Sequence, residues 1–418
     1  MQGKGGIMRI KQVTCKNFKS FSDLSVDLDE YNILIGTNAA GKTNFIRILR
    51  FFRDIARHGL GNALSLQGGV EYIRNTRISK DIPTELGIIF ENNLGVFNGV
   101  RDTKGIRHTL RFHQIEYRFS LTMQEGGYLI LEDKLKIRCS CKPETQEREG
   151  GEGALVITHT DDGVFYELST PPDSAIEISE IIPPYLQKNT PRPGSLLLEN
   201  PLMIPLPGFQ RFFADIAIYD FDPRTPRKAI PLAGRSDLEE DGSNLALVLR
   251  SILADPEKKR RFSNLMQDLL PFIQDIDVRK FTDSSVYFTV TEKYGDDHTL
   301  PSSVISDGTI NVINLICALY FDDKPFIVIE EPEKNIHPYL IARVVSMFAD
   351  AAHRKQILIT THNPGVVRYA DIEDILLISR DAEGFSTIQK PAYREEVQTF
   401  LKNEVGIEEL YIQNLLGL

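Results

Sequence analysis

Gly36-Thr37-Asn38-Ala39-Ala40-Gly41-Lys42-Thr43 limits what this chain can fold into more than any other segment. It fits G-x-x-x-x-G-K-[ST] in full, and both flanks agree with that motif. A short apolar run, Tyr31 to Ile35, precedes it, and a helical pattern, Asn44 to Arg57, follows it. The order strand, loop, helix is expected. Glycines permit backbone angles that aim successive N–H groups at phosphate oxygens, and the helix N-terminus adds a partial positive charge. The cradle is expected to run from Gly36 through Thr37, Asn38, Ala39, Ala40, Gly41, Lys42 and Thr43 to Asn44. Lys42 can reach β- and γ-phosphates, and the Thr43 hydroxyl can ligate Mg²⁺. The competing reading is a glycine-containing turn without a ligand, which needs neither flank.

Two apolar runs in the last third of the chain also end in reactive side chains. Phe326 to Ile329 leads into Glu330 and Glu331, and Gln356 to Thr361 leads into His362. Buried parallel strands deliver their C-terminal residues to the ligand edge of such a sheet. Glu330 is assigned to the magnesium shell and Glu331 to the general base that deprotonates an attacking water. Most ATPases with this loop carry Asp at the first position, so Glu330 departs from the pattern. At the same edge an imidazole, His362, can sense a terminal phosphate. Ser306-Asp307-Gly308-Thr309 opens an apolar helix, Ile310 to Tyr320. It reads either as a plain N-cap or as a second anion site made of the Ser306 hydroxyl, the Gly308 backbone and a helix end.

The rest of the chain supplies the frame. Ile7 to Phe18 and Leu24 to Leu28 read as a strand pair. Six alternating runs between Leu86 and Leu168 read as antiparallel strands: Leu86–Phe90, His108–Phe112, Glu116–Thr122, Leu129–Arg138, Ala154–Thr158 and Val164–Leu168. Pro171 to Pro207 reads as irregular, with a short helix near Ile176–Tyr185. Ser243–Leu253 and Pro256–Ile273 have helical spacing, and Val286–Lys293 reads as a strand. From Gly308 onward helices alternate with strands, including a helix over Tyr339–His353 and a strand over Ile375–Ser379, which argues for a parallel α/β sheet. The expected division is 7–85 and 271–418 for the two parts of a nucleotide-binding α/β head, with 86–270 as an inserted β-rich and partly helical lobe. Met1 to Gly6 reads as a flexible leader.

Composition narrows the function. The chain has 418 residues and a formal net charge of −10, so any nucleic acid would need a local basic patch. Arg101, Lys104, Arg107, Arg111 and Arg118, interleaved with His108, Phe112, His113 and Tyr117, make one candidate. Arg224, Arg227 and Lys228 make a second, and Lys258, Lys259, Arg260 and Arg261 a third. Solvated strand and helix faces are the ordinary reading of such runs. The longest apolar stretch, Asn311 to Phe321, is shorter than a membrane span needs, and a cytoplasmic protein is expected. The four cysteines, Cys15, Cys139, Cys141 and Cys317, lack zinc-site spacing and read as reduced thiols.

In the order phosphate loop, signature, acidic strand and switch histidine, these motifs together resemble the ABC ATPase superfamily. The likeness is to its RecF, SMC and overcoming-lysogenization-defect heads. Asn17-Phe18-Lys19-Ser20-Phe21 and Glu330-Glu331-Pro332-Glu333-Lys334-Asn335-Ile336-His337-Pro338 resemble segments of that branch. Ser306-Asp307-Gly308-Thr309 is similar to its signature, whereas membrane transporters generally carry Ser-Gly-Gly-Gln. The chain also resembles predicted bacterial AAA-labelled ATPases of about this length. That likeness takes in 63–74, Tyr219-Asp220-Phe221-Asp222-Pro223, Asp241-Gly242-Ser243-Asn244-Leu245 and Leu415-Leu416-Gly417-Leu418.

The resemblance implies an ATP- and Mg²⁺-dependent ATPase whose site closes when two copies meet head to head. Ser306 and Gly308 of one copy would then touch the nucleotide of the other, with Asn335 and His337 at the seam. Gln67 is the candidate for the glutamine that links the γ-phosphate and magnesium to the lobe. Such a homodimer, or a higher oligomer of it, would act as a switch in DNA maintenance or antiphage defence. It would bind DNA or drive a separate effector, a nuclease or a toxin. The about fifty residues after His362 hold no pair of acidic strand ends for two metals, so no nuclease is expected within the chain. A transporter's nucleotide-binding subunit is the alternative, and a protein using ATP only as structural glue is a third class. The Glu330/Glu331 pair argues against the last, because binding alone requires no base.

Overall fold

Alternation at period two builds one part of the molecule, and continuous apolar runs feeding helices build the other. The computed structural model describes residues 8–124, 126–144, 150–172, 174–187, 191–206, 208–234, 237–294, 299–395, 397, 399 and 406–413. The expected leader and the segment Leu415 to Leu418 lie outside these. Two compact units divide the chain. The first is Met1–Asp29, Ala39–Ile216 and Ile378–Gln389, and the second is Glu30–Asn38, Ala217–Leu377 and Lys390–Leu418. Of the segment 86–270, residues up to Ile216 therefore fall in the first unit and the remainder in the second.

The first unit opens with β1 (Arg9–Phe18) and β2 (Phe21–Asp27), and after Gly41 continues with α1 (Lys42–His58), α2 (Leu60–Leu66) and α3 (Val70–Ile73). Five long strands follow: β4 (Thr84–Arg101), β5 (Arg107–Gln124), β6 (Gly127–Pro143), β7 (Gly151–Thr160) and β8 (Gly163–Ser169). With β1 and β2 they form one seven-stranded sheet in the order β2-β1-β4-β5-β6-β7-β8, each pair antiparallel. The runs His108–Phe112 and Glu116–Thr122 prove to be one strand, β5. The register shifts at Phe112/Gln114, and that bulge returns Ile115, Tyr117 and Phe119 to the inner face. The proline-rich segment holds short pieces, including α4 (Pro184–Gln187), and α5 (Phe209–Ala214) closes it. Phe52 on α1 meets Phe119 of the sheet at 5.6 Å and Phe213 of α5 at 5.4 Å between ring centroids. These rings are fully buried, and removing one such aromatic from a core typically costs about 3–5 kcal/mol.

The second unit holds β3 (Tyr31–Ile35), β9 (Ala217–Tyr219), β14 (Phe326–Glu330), β15 (Gln356–Thr361) and the first half of β16 (Ile375–Arg380), whose residues from Ile378 onward belong to the first unit. They lie in the order β16-β3-β15-β14-β9, and every one of these pairs is parallel. β3 and β15 are buried at every position, as parallel strands covered on both faces must be. Helices α6 (Leu245–Ala254), α7 (Pro256–Leu269), α8 (Asp307–Tyr320), α9 (Pro338–Ala352), α10 (Pro364–Arg368) and α11 (Ile407–Ile412) belong to this unit. α8 is buried at every position from Thr309 to Leu319, which marks it as the central core helix. A smaller antiparallel sheet joins β10 (Ile230–Pro231), β11 (Ile273–Thr282), β12 (Ser285–Glu292) and β13 (Thr299–Pro301). The helical spacing read through Ile273 ends at Leu269, and Ile273 opens β11 instead. Among the described residues no helix is long and apolar enough to cross a membrane.

Candidate functional site

Parallel pairing brings three strand ends to one edge of the second unit's sheet. Glu330 stands opposite Thr360, and Thr361 stands opposite Ile35. The first residues of the phosphate loop, Gly36, Thr37 and Asn38, therefore leave the edge that carries Glu330, Glu331 and His362. Of these, the structure brings Glu331 and His362 into direct contact: Glu331 Oε1 lies 2.9 Å from His362 Nδ1. With Nδ1 bearing the proton toward the carboxylate, Nε2 is the ring's acceptor. Lys334 Nζ sits 3.3 Å from Glu331 Oε2 and 3.7 Å from Asp220. Glu331 adopts φ 46, rare outside glycine, while its N–H continues the ladder to Thr360 O at 2.9 Å. A non-glycine residue held in that conformation at a strand end is a recurrent mark of functional sites.

A second carboxylate, Glu333, was missed as a site residue, although its place in Glu-Glu-Pro-Glu was the available signal. It is 7% exposed; Thr361 Oγ1 donates to Glu333 Oε1 at 2.5 Å, while Oε2 has no partner. Burial pushes its carboxyl above the ordinary glutamate value, and the Thr361 bond pulls it back only in part. Thr361 Oγ1 also accepts the Asn363 N–H at 2.9 Å, and Asn363 caps α10 through Gly365 N–H. The acidic loop and the switch loop are thus tied twice, by Glu331–His362 and by Glu333–Thr361.

The remainder of the phosphate loop lies in the first unit. Ala39 has φ 64 and Gly41 φ 121, the positive backbone angles an anion nest uses. Lys42 and Thr43 are the first two residues of α1. Asn44 Nδ2 donates to Ser20 Oγ at 2.9 Å, so Asn44 is turned toward β1–β2 and away from a ligand role of its own. Gln67 caps α2, and its carbonyl accepts from Lys19 Nζ at 3.4 Å.

Ser306 and Gly308 occupy another place in the second unit, and the structure gives them no hydrogen bond to Glu331 or His362 among the described contacts. Ser306 caps α8, accepting from Thr309 N–H at 3.2 Å, so the plain N-cap reading holds in full. The same residues line a cavity of about 640 Å³ with Asn335, His337, Phe272 and Tyr339. A Cβ at Gly308 would lie 2.5 Å from Asn335 O, which makes glycine obligatory there. Arg227 Nη2 fixes this end of α8 through Asp307 at 2.5 Å and the Ile305 carbonyl at 2.7 Å. Arg227 is thus partly committed to structure, as is Arg224, which pairs with Asp222. The first basic cluster needs correction as well. Its aromatic members Phe112 and Tyr117, and His108, are buried and cannot serve as stacking platforms.

Among the described residues no group of three or more His, Cys, Asp or Glu could hold a metal ion by itself. Magnesium asks for less, being held by one or two carboxylates and substrate phosphates. Within the second unit the edge carries adjacent Glu330 and Glu331, carboxylates of the kind Mg²⁺ takes, and within the first the positive-φ Ala39 and Gly41 suit a phosphate.

The fold has counterparts among known proteins. The Smc head domain solved in complex with the C-winged helix domain of ScpA aligns over 91% of this chain and 97% of its own, with a TM-score of 0.52 at 14% identity. That identity supports the fold alone, an SMC-type ATPase head. Endonuclease GajA of Bacillus cereus (strain VD045) is 43% identical over 47 residues, 11% of this chain and 8% of that protein. The DNA replication and repair protein RecF of Lactococcus lactis subsp. cremoris (strain MG1363) is 38% identical over 52 residues, 12% of this chain and 14% of its own. The chain thus matches well under a fifth of the length of either curated relative. The family model described as "AAA domain, putative AbiEii toxin, Type IV TA system" matches residues 31–368, most of the chain, and the chain belongs to that family.

Proposed function

We propose that the chain binds ATP with Mg²⁺, hydrolyses it, and does so at a head-to-head interface between two copies. The observation that carries this reading is the 2.9 Å contact between Glu331 and His362 at the sheet edge from which the phosphate loop departs. Backbone N–H groups from Gly36 to Thr43, with Lys42, hold the phosphates. The Thr43 hydroxyl and Glu330 would hold Mg²⁺, which would supply positive charge against the transferring phosphate. Glu331 orients a water and takes its proton, while His362 holds the Glu331 carboxylate and presents Nε2 to the terminal phosphate. Gln67 completes the set from the end of α2. Ser306 and Gly308 of a second copy cap the nucleotide, with Asn335 and His337 along the seam. The rigid contact of Gly308 with Asn335 supports a surface of fixed shape there. ATP then joins two heads, hydrolysis releases them, and the cycle switches DNA or a separate effector in DNA maintenance or antiphage defence in the cytoplasm. The restriction of the curated matches to short segments of GajA and RecF leaves the effector outside this assignment.

Lys42→Ala tests the base of the proposal. Wild type should bind ATP by calorimetry, shift from monomer to dimer with a non-hydrolysable analogue, and turn over faster when its DNA or effector is added. The variant should do none of these. Wild-type ATP affinity in the variant would refute the phosphate-loop assignment.

A further inference from the structure

We infer that Arg380 and Ser386 are positioning residues for the phosphate loop, holding two consecutive carbonyls so that the intervening N–H groups face the nucleotide. This rests on the nucleotide-binding reading above, and all of its atoms lie in the first unit. Arg380 donates to Ala39 O through Nε at 3.2 Å and through Nη2 at 3.0 Å. Ser386 Oγ lies 2.6 Å from Ala40 O and 2.8 Å from Ser20 Oγ.

A trans peptide is planar, and its C=O and N–H point to opposite sides. No peptide bond in the described chain is cis. Fixing Ala39 O toward Arg380 therefore turns Ala40 N–H the other way, and fixing Ala40 O toward Ser386 does the same for Gly41 N–H. An oriented N–H pair of this kind is what an anion nest requires, and orientation set in advance costs nothing when the ligand arrives.

The brace is itself built to be stiff. Arg380 ends β16, and Ser386 opens β17 (Ser386–Gln389). Between them Asp381 Oδ1 accepts the N–H of Glu383 at 3.0 Å and of Phe385 at 2.8 Å, and Gly384 takes φ 82. Arg380 Nη1 donates to Gly384 O at 2.8 Å, and Arg77 donates to Glu383 O. Ser386 N–H donates to Ser20 O at 2.8 Å, and Ser20 Oγ receives Asn44 from α1. Gly41 is fitted to this arrangement, since a Cβ there would run into Ser386 Oγ. One hairpin, more than three hundred residues downstream of the loop, thus sets its backbone.

The test is Mg–ADP affinity by calorimetry for the full chain carrying Arg380→Ala, Ser386→Ala or Lys42→Ala, beside thermal unfolding without nucleotide. Losing the hold on Ala39 O or on Ala40 O should weaken ADP about tenfold in each of the first two variants. The Arg380→Ala midpoint should stay within about 2 °C of wild type, as for an exposed side chain, and Ser386→Ala, where the side chain is buried, is compared at a temperature at which it is folded. The Arg380→Ala deficit should be the same at about 0.05 M and about 0.5 M salt, because a fixed hydrogen bond is not screened as a distant charge is. Wild-type ADP affinity in Arg380→Ala and Ser386→Ala, with none in Lys42→Ala, would overturn this inference alone. Wild-type affinity in Lys42→Ala would overturn the nucleotide reading and this inference with it. A deficit that vanishes at high salt would make Arg380 a general attractive charge and overturn its positioning role.

Discussion

Asp133 in the first unit and Glu333 in the second are both buried carboxylates, yet their surroundings differ in kind. Asp133 takes Tyr117 Oη–H at 3.0 Å, His159 Nδ1 at 2.9 Å and the Leu197 N–H at 2.6 Å. Asp102, also buried, is matched by His108 at 3.0 Å and by the N–H groups of Lys104 and Ile106. Glu333 has one partner and one orphaned oxygen, and Tyr31 Oη, Asn311 Oδ1 and both polar atoms of the Asn314 amide are orphaned in the same unit. No carboxylate or amide oxygen of the first unit is in that condition among the described residues. The first unit completes its buried carboxylates, although Arg74 Nε is left without a partner there. The second leaves a carboxylate and amide oxygens incomplete, while positive φ outside glycine occurs in both units, at Asn17, Lys19 and Ala39 in the first and at Glu331 and Asn335 in the second. Buried groups left unsatisfied cost stability, so a chain retains them where something other than stability is selected.

The sharpest way to break this comparison is Glu331→Gln. A base removed from a positioned water should lower ATP turnover about 10²- to 10⁴-fold, while ATP affinity stays at the wild-type level and closed dimers accumulate. The unfolding midpoint should not fall. Turnover assays beside size measurement check this, and wild-type turnover would move the base elsewhere. Asp133→Ala should do the reverse. It strands Tyr117, His159 and the Leu197 N–H at once, and a loss of about 3 kcal/mol in unfolding free energy is expected. ATP affinity at temperatures where the variant is folded should be unchanged. A denaturant titration that finds less than about 1 kcal/mol would mean that the network is not structural support, and the contrast between the units would fail.

What could be read from the sequence follows the range of the interactions. The phosphate loop, the acidic strand end and the switch histidine are local patterns, each a strand running into a reactive tip, and parallel pairing then had to bring their ends together. The two-residue alternation gave the antiparallel strands but divided β5 at Phe112/Gln114, because a bulge resets the inward positions without leaving a turn residue. Arg380 and Ser386 could not have been found in this way. Their partners are 341 and 346 residues away, and nothing in their neighbourhood marks them as belonging to a phosphate loop. The same holds for Arg227, whose place among three cations pointed to a basic patch while its contact is Asp307. Phe112 and Tyr117 interleave with arginines because a strand alternates its faces, and the structure puts them on the inner one.

The smallest expected effect probes the orphaned oxygen itself. Burial raises the Glu333 carboxyl above its ordinary value, so the folded chain holds this proton more tightly than the unfolded chain does. The linkage sign follows: below the unfolded value both states are protonated and the site costs nothing. As pH rises through the folded value, stability is lost, and above it the whole penalty of a buried charge is present. Glu333→Gln removes the titration and keeps an acceptor for Thr361. The variant should therefore unfold at the wild-type temperature near pH 4 and on the order of a few °C higher near pH 8, with turnover measured separately to see what the carboxylate supplies. Equal midpoints at both pH values would mean that the orphaned oxygen carries no cost. The second unit would then be no less completed than the first, and its incompleteness could no longer be set against function.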